Sequence, residues 1–479
     1  MLEISKDDIL KSLKRDNPWW GESYNHQGKR YAKKRAYFNP FAKTALDWSV
    51  KRSTILMGPR RVGKTVILRQ LIDEAIQKGF PGTNILFVSV DTPLYSGIAL
   101  ERLLTLFEEE TGHNGQRRRI VIFDEIQYLK DWEVHLKVLT DQHTNTRFIA
   151  SGSAAAALKL KSQESGAGRF TDFFLPPLTF AEFLTFRNLE KELIEVSHAG
   201  TSMRFTTHNI DRLNEEFINY LNFGGYPEAV LNETIQADVQ QYLGRDIIDK
   251  VLLRDLPSLY GIQDIQELNR LFTTIAYHTG QEISLDGLAK SSGVAKNTIT
   301  KYLDYLEAAF LIVRVRRVDD TGKTFQRMRH FKVYLTNPSM RSALFSAIGD
   351  QDNYMGAMAE TAIFSQWFHS DLMKNIHYAR WKQGRQELEV DLVRVDPARL
   401  KPTWAYEIKW SDRFADDQPG ELRGLIELAK RNKDINLPLG ATTKTITRET
   451  VIDDITIRHF PCALHCYQIG KNLAEGRAP

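Results

Sequence analysis

The chain is poor in cysteine: Cys462 and Cys466 are the only two in 479 residues. So few exclude a disulfide-stapled fold and point to a reducing compartment, the cytoplasm. Long apolar runs are missing as well. Stretches such as 308–313 fall far short of the roughly 20 apolar residues a bilayer span needs, so no membrane association is expected. No apolar segment with a basic front opens the sequence, which argues against a signal peptide. Charge of one sign is not in excess: 64 basic against 60 acidic residues leave +4, a balance compatible with nucleic acid without demanding it. Repeats and low-complexity tracts are also missing, which excludes solenoids and fibres. What remains is an ordinary globular composition, 42% hydrophobic and 26% charged, long enough for two to four domains.

Basic residues are nonetheless bunched, as KRYAKKR at 29–35, RRR at 117–119 and RVRR at 314–317. Each could touch phosphates or be a solvated face. Ahead of the first bunch stands NPWW at 17–20. Two adjacent tryptophans outside any helix or strand pattern suggest an arm packed on the rest of the chain or on a partner, or a stacking platform for bases.

The strongest local signal is ILMGPRRVGKT. A short β-rich run leads into Gly58, Pro59, Arg60, Arg61, Val62, Gly63, Lys64 and Thr65, which match G-x-x-x-x-G-K-[ST] at every fixed position. The two glycines let the backbone curl so that its N–H groups face a phosphate. The helix that follows, VILRQLIDEAI, aims its positive end at the same place. Lys64 is expected on the β- and γ-phosphates of ATP and Thr65 on Mg²⁺. Downstream, RRIVIFDEIQ reads as a parallel strand covered on both faces. Asp124 at its end would hold Mg²⁺, and Glu125 would polarise the attacking water. A third strand, RFIASGS, ends in Ser151, which is either a γ-phosphate sensor or a turn serine.

The chain resembles prokaryotic AAA-type ATP-binding proteins that carry an uncharacterised restriction-endonuclease-like C-terminal domain. The resemblance rests on GPRRVGKT, IVIFDEIQ, ASGS, GRF followed by PLTFAEFL, and YLNFGGYPEAV at 220–230, and it covers most of the chain. It implies that Arg169 acts on the γ-phosphate, from its own subunit or from a neighbour's in a homo-oligomer; the plain alternative is a loop arginine paired with Asp172. Gly224, Gly225 and Pro227 read as a tight turn between helices.

Residues 285–317 carry a helix–turn–helix pattern. Leu285, Leu288 and Ala289 pack a first helix, and Ser292, Gly293 and Val294 make the turn. Ile299, Tyr302, Leu303 and Leu306 form the inner face of a second. Lys296, Asn297, Thr298, Thr300 and Lys301 lie outside, and 310–316 reads as a wing. Such a winged helix could enter a DNA groove or serve only as a spacer.

Toward the end of the sequence a helix holding Glu360 precedes QELEVDLVRV and then WAYEIKW. Asp391 and Glu407 sit in successive strand patterns, sixteen residues apart (407 − 391). Glu389 shares a side with Asp391 because side chains repeat every second residue. This is the acidic, then E-x-K, order of restriction-endonuclease-like nucleases. Asp391 and Glu407 would supply hard oxygens to Mg²⁺, and the metal would activate water and steady the phosphate. Lys409 would orient or deprotonate that water, or stabilise the phosphorane. The resemblance adds Glu360 as a further acidic residue, and Glu389 would be an extra or outer ligand. A zinc reading of HFPCALHC, through His459, Cys462, His465 and Cys466, fails on spacing, and a core strand is expected there instead.

The expected fold is α/β in three parts: a P-loop AAA-type ATPase with its arm at 1–235, a helical and winged-helix segment at 236–330, and a restriction-endonuclease-like domain at 331–479. The expected function is an ATP-gated, Mg²⁺-dependent nuclease or DNA-processing enzyme. The alternative is an ATP-switched scaffold that binds DNA or protein without cutting.

Overall fold

A computed structural model describes residues 5–21, 32–95, 97–113, 115–152, 168–199, 202–324, 330–416, 420–433 and 437–477. Parts of the 29–35 bunch and of the segment before Arg169, together with Ser153, lie outside the described residues. The chain divides into two compact units, Met1–Leu175 and Pro176–Pro479.

Unit 1 is an α/β layer built on a parallel sheet. Its strands are β1 (Ser53–Met57), β2 (Ile85–Ser89), β3 (Arg119–Asp124), β4 (Thr146–Gly152) and β5 (Phe170–Phe174), in the order β2-β3-β4-β1-β5. β1, β3 and β4 are buried at every position, as expected of strands covered on both faces. Helix α1 (Lys64–Gln77) follows β1 directly. The NPWW arm packs on the β2 edge. Trp19 and Trp20 both donate their indole N–H to the Ile85 carbonyl, at 3.0 and 2.7 Å. The buried Asn17 amide exchanges hydrogen bonds with Phe87 N and O. The edge strand thus gains polar partners without a sixth strand.

Unit 2 holds a mixed sheet, ordered β15-β16-β14-β13-β12-β11-β9-β10-β8 among the described residues. Its strands are β8 (Glu282–Ser284), β9 (Ile312–Val318), β10 (His330–Leu335), β11 (Ile376–Gln383), β12 (Gln386–Val395), β13 (Pro402–Glu407), β14 (Leu439–Thr443), β15 (Arg448–Ile452) and β16 (Ile455–Pro461). A separate hairpin is formed by β6 (Glu195–Ala199) and β7 (Ser202–Thr206). The large sheet curls, so that the Tyr378 hydroxyl on β11 donates to Glu282 on β8 at 2.7 Å. Helices α2 (Leu285–Ser292) and α3 (Lys296–Ala308) stand between β8 and β9, and α4 (Met355–Trp367) precedes β11. Ile299, Tyr302, Leu303 and Leu306 are buried while Lys296, Asn297, Thr300 and Lys301 are exposed, the expected amphipathic split.

Both expected domain boundaries shift. Residues 176–235 belong to unit 2, because Phe180, Phe183, Phe217 and Tyr220 share one apolar cluster with Tyr334, Met358 and Cys466. A core that spans those positions leaves no seam at 235. No seam exists at 330 either, since β9 pairs antiparallel with β10 and parallel with β11. The 224–227 turn stands as read: Gly224 ends one helix and Pro227 opens the next.

Candidate functional site

The P-loop leaves the carboxyl end of β1. Gly58 sits against the residue just past β5: a Cβ there would overlap the Leu175 carbonyl oxygen. Gly63 adopts φ 98°, a left-handed turn that favours glycine, and hands the chain to α1. Lys64 is buried and donates to the carbonyls of Gly58 and Pro59, at 2.9 and 2.8 Å. The Thr65 hydroxyl donates to Asp124 Oδ2 at 2.7 Å, and Ser151 donates to Asp124 Oδ1. Glu125 follows in a left-handed conformation, φ 54°, with burial raising its pKa. Three strand ends thus deliver Thr65, Asp124, Glu125 and Ser151 to one place. The hydroxyl and carboxylate oxygens of Thr65 and Asp124 are the hard donors Mg²⁺ takes.

Arg60 meets Tyr128 OH at 3.1 Å. Arg61 takes φ 62°, and Val62 is buried. The Val62 carbonyl accepts from Arg35 at 2.7 Å. Arg35 is buried and braces the loop from behind, so this member of the first basic bunch is structural. A brace of this kind is invisible in sequence. Removing a charged hydrogen bond costs about 1.5–3 kcal/mol. Arg35→Ala is therefore expected to raise the KM for ATP roughly tenfold or more, with kcat less affected, by steady-state kinetics.

Arg169 is placed elsewhere. Its carbonyl accepts from Ser53 N at the amino end of β1, and its side chain pairs with Asp141 at 3.3 Å. The P-loop leaves the opposite end of the same five-residue strand, about 16 Å away at the usual rise. An action on the γ-phosphate of its own subunit is excluded by that distance. The other basic bunches are also partly structural. Arg119 is fully buried against Glu108, and Arg314 is held by Asp304 and Glu307.

Unit 2 brings together the carboxylates named from sequence, around a residue that reading missed. Lys332 on β10 is 3% exposed. Its ammonium lies 2.9 Å from each of Glu360 on α4 and Glu389 and Asp391 on β12. Tyr334, two positions along, donates to Glu360 at 2.6 Å. Asp391 Oδ2 accepts from Ile408 N at 3.0 Å, and Lys409 pairs with Glu407 at 2.9 Å. β13 ends at Glu407, so Lys409 lies just past the strand, with its N–H on Thr442. The signal for Lys332 was a lysine in FKVYL, inside an otherwise apolar strand.

The electrostatics follow from this crowding. Burial and then the Asp391 charge push Glu360 up to about 7 and Glu407 up to about 8. Burial also acts to raise Asp391, but Lys332, Lys409 and the Ile408 N–H together hold it below the ordinary value. A carboxyl raised in the fold contributes stability below its unfolded pKa and loses it as pH rises through the folded one. Glu407→Gln is therefore expected to raise the melting temperature at pH 8.5, by roughly 2–4 °C per kcal/mol, and to change little at pH 5.5.

Among the described residues, no group of three or more His, Cys, Asp and Glu side chains is arranged to hold a metal ion. Mg²⁺ takes oxygens at about 2.0–2.1 Å in an octahedron, whereas here three carboxylates converge on an ammonium. The Mg²⁺ role expected of Glu360, Asp391 and Glu407 does not fit this arrangement. His459 is buried on β16, whereas Cys462 and Cys466 are buried on the helix Cys462–Ala474 that follows, not on the expected strand; the half-buried His465 of that helix stacks on Tyr406 and Phe460. No helix among the described residues is long and apolar enough to cross a membrane.

Residues 50–184 match a family described as an AAA domain, and residues 214–351 match a domain of unknown function. An uncharacterized protein of Haemophilus influenzae is 25% identical over 315 residues, 65% of this chain and 72% of that protein. One of Methanocaldococcus jannaschii is 26% identical over 309 residues, 62% of this chain and 63% of that one. One of Mycobacterium tuberculosis is 28% identical over 261 residues, 54% and 48% of the two. Two solved structures are similar at 13% identity. They are a replication initiator DnaA bound to AMPPCP and single-stranded DNA (TM-score 0.30; 59% of this chain, 91% of that one) and Cdc6p from Pyrobaculum aerophilum (TM-score 0.28; 69% and 97%). The parallel sheet and its P-loop agree with the family match, so residues 50–184 resemble an AAA domain.

Proposed function

We propose that the chain binds ATP with Mg²⁺ at the P-loop of unit 1, hydrolyses it, and uses the cycle to switch unit 2 between binding states. The observation that carries the first part is the convergence of Thr65, Ser151 and Asp124 beside Lys64 and Glu125. Mg²⁺, when bound, neutralises charge on the phosphates. Lys64 swings from the P-loop carbonyls onto the β- and γ-oxygens, Glu125 orients the attacking water, and Ser151 steadies Asp124. Arg169 is left a role only in trans, in a homo-oligomer. Sizing the protein with and without ATP tests this: a monomer under both conditions excludes the role.

For unit 2 we read α2, α3 and the β9–β10 hairpin as a winged helix whose outer face, Lys296, Asn297, Thr300 and Lys301, meets DNA. The order of Glu360, Asp391, Glu407 and Lys409 along the chain is the one an ATP-gated, Mg²⁺-dependent nuclease would use. Lys332 at their centre favours the second reading, a scaffold that binds DNA or protein without cutting, and that is the reading adopted. The test is cleavage of linear, circular and single-stranded DNA with Mg²⁺, with and without ATP. Cutting by the intact protein that disappears in Asp391→Ala would restore the nuclease.

A further inference from the structure

We propose that Lys332 is the resident cation of the unit 2 carboxylate cluster, and that while it is in place the cluster excludes a divalent metal. This rests on the non-cutting reading of unit 2 and gives it a physical cause.

Three features carry the inference. First, the ammonium is enclosed by carboxylates. Lysine has three N–H donors and no acceptor; Lys332 donates to Glu360 and Asp391, each at 2.9 Å, and forms an ion pair with Glu389 at 2.9 Å. That is the spacing of charge-assisted contacts. Second, the lysine is built in. It lies inside β10, with residue 331 paired to both β8 and β9, and its nitrogen stands 5.6 Å from the Tyr378 ring centre. A side chain so enclosed does not leave without moving the strand. Third, the surrounding groups are already committed. Asp391 Oδ2 takes the Ile408 N–H, Glu360 Oε1 takes Tyr334 as well, Glu389 is shared with Arg380, and Glu407 holds Lys409. A divalent ion would have to displace the buried lysine and then sit beside the half-buried Lys409. The ion-pair network does the charge balancing that a metal would otherwise do.

The test is Mn²⁺ binding to the nucleotide-free full chain, followed by electron paramagnetic resonance of free Mn²⁺, with thermal melting in parallel. The wild type is expected to bind no Mn²⁺ at the cluster. Lys332→Met is expected to gain one site, and Lys332→Met/Asp391→Asn to lose it again. Mn²⁺ should raise the melting temperature of Lys332→Met and leave the wild type unmoved. A wild-type site that Asp391→Asn abolishes overturns the inference. So does a folded Lys332→Met that binds nothing. If Lys332→Met folds only with Mn²⁺ present, that recovery supports the inference; if it does not recover and Lys332→Gln also stays empty, the inference falls. DNA cleavage separates the two readings. A wild type that binds no Mn²⁺ alone yet cuts DNA in Mg²⁺, with loss in Asp391→Asn, would sink the non-cutting reading while leaving the lysine as the cation of the free protein.

Discussion

Glu125→Gln is expected to lower the kcat for ATP hydrolysis by roughly 10²–10⁴-fold, the usual worth of a positioned general base, while nucleotide binding stays near wild type. Glu125 sits one residue past Asp124, at the carboxyl end of a fully buried strand. Its left-handed backbone turns the side chain away from the strand direction, and Gln127 donates to it. Glutamine keeps the size and the hydrogen-bonding reach but cannot take a proton. Lys64→Ala is the contrasting variant. The lysine meets the phosphates in ground and transition states alike, so its loss should weaken binding as well as turnover. Stopped-flow binding of a fluorescent ATP analogue, read beside steady-state phosphate release, separates the two. Unchanged phosphate release in Glu125→Gln would remove this residue from the mechanism and leave the water without a base among Asp124, Ser151 and Thr65, which are already committed to one another.

Lys332→Met is expected to destabilise unit 2 by about 3–5 kcal/mol at pH 7.5 in metal-free buffer, the usual cost of stripping a buried charge of its partner. The methionine fills the space of the lysine stem, so the loss is electrostatic and not a cavity. Asp391 then lacks the nearest cation that holds its carboxyl below the ordinary value, and Glu360 lacks one of two partners on the same oxygen. The sign follows: without the lysine these carboxyls favour their protonated forms. The penalty is therefore largest at high pH and shrinks as pH falls toward 5. Adding Asp391→Asn should recover part of the loss, and the two substitutions should be far from additive. Chemical denaturation at pH 5 and pH 8 measures both. An equal loss at the two pH values would mean that the lysine matters for packing and not for charge.

The P-loop was legible because phosphate binding by backbone N–H groups demands glycines at fixed spacing, and the Asp124–Glu125 pair because a buried strand advertises itself by unbroken apolar character. The carboxylates of unit 2 were legible as an order along the chain, helix then strand then strand. Lys332 was not, because a lysine in a strand reads as a wet face unless its three partners, 28 to 59 residues away, are known to converge on it. Arg35 was hidden for the same reason: within a basic run, nothing local shows that its guanidinium turns inward to Val62. The limit at 235 was misread because nothing local shows that the helix Ile210–Phe223 is anchored by Phe217 and Tyr220 in the core of the second unit. Arg169 was placed by resemblance to a motif, and only the strand register shows which end of the sheet it occupies.

The uninterrupted sheet from β8 to β15 also decides how the protein can be cut into pieces for study. A fragment starting at residue 331 would carry every acidic residue that suggested a nuclease, and Lys332 with them, but would lose β8 and β9. The β11 edge would then be bare, with its N–H and C=O groups open to any passing strand, and the truncated β10 would have no neighbour to hold it. Insolubility of such a fragment would report on severed strand pairing and not on the chemistry of the cluster. A cut at the Leu175–Pro176 junction breaks no strand pair among the described residues, and residues 176–479 keep the cluster with every strand of its sheet.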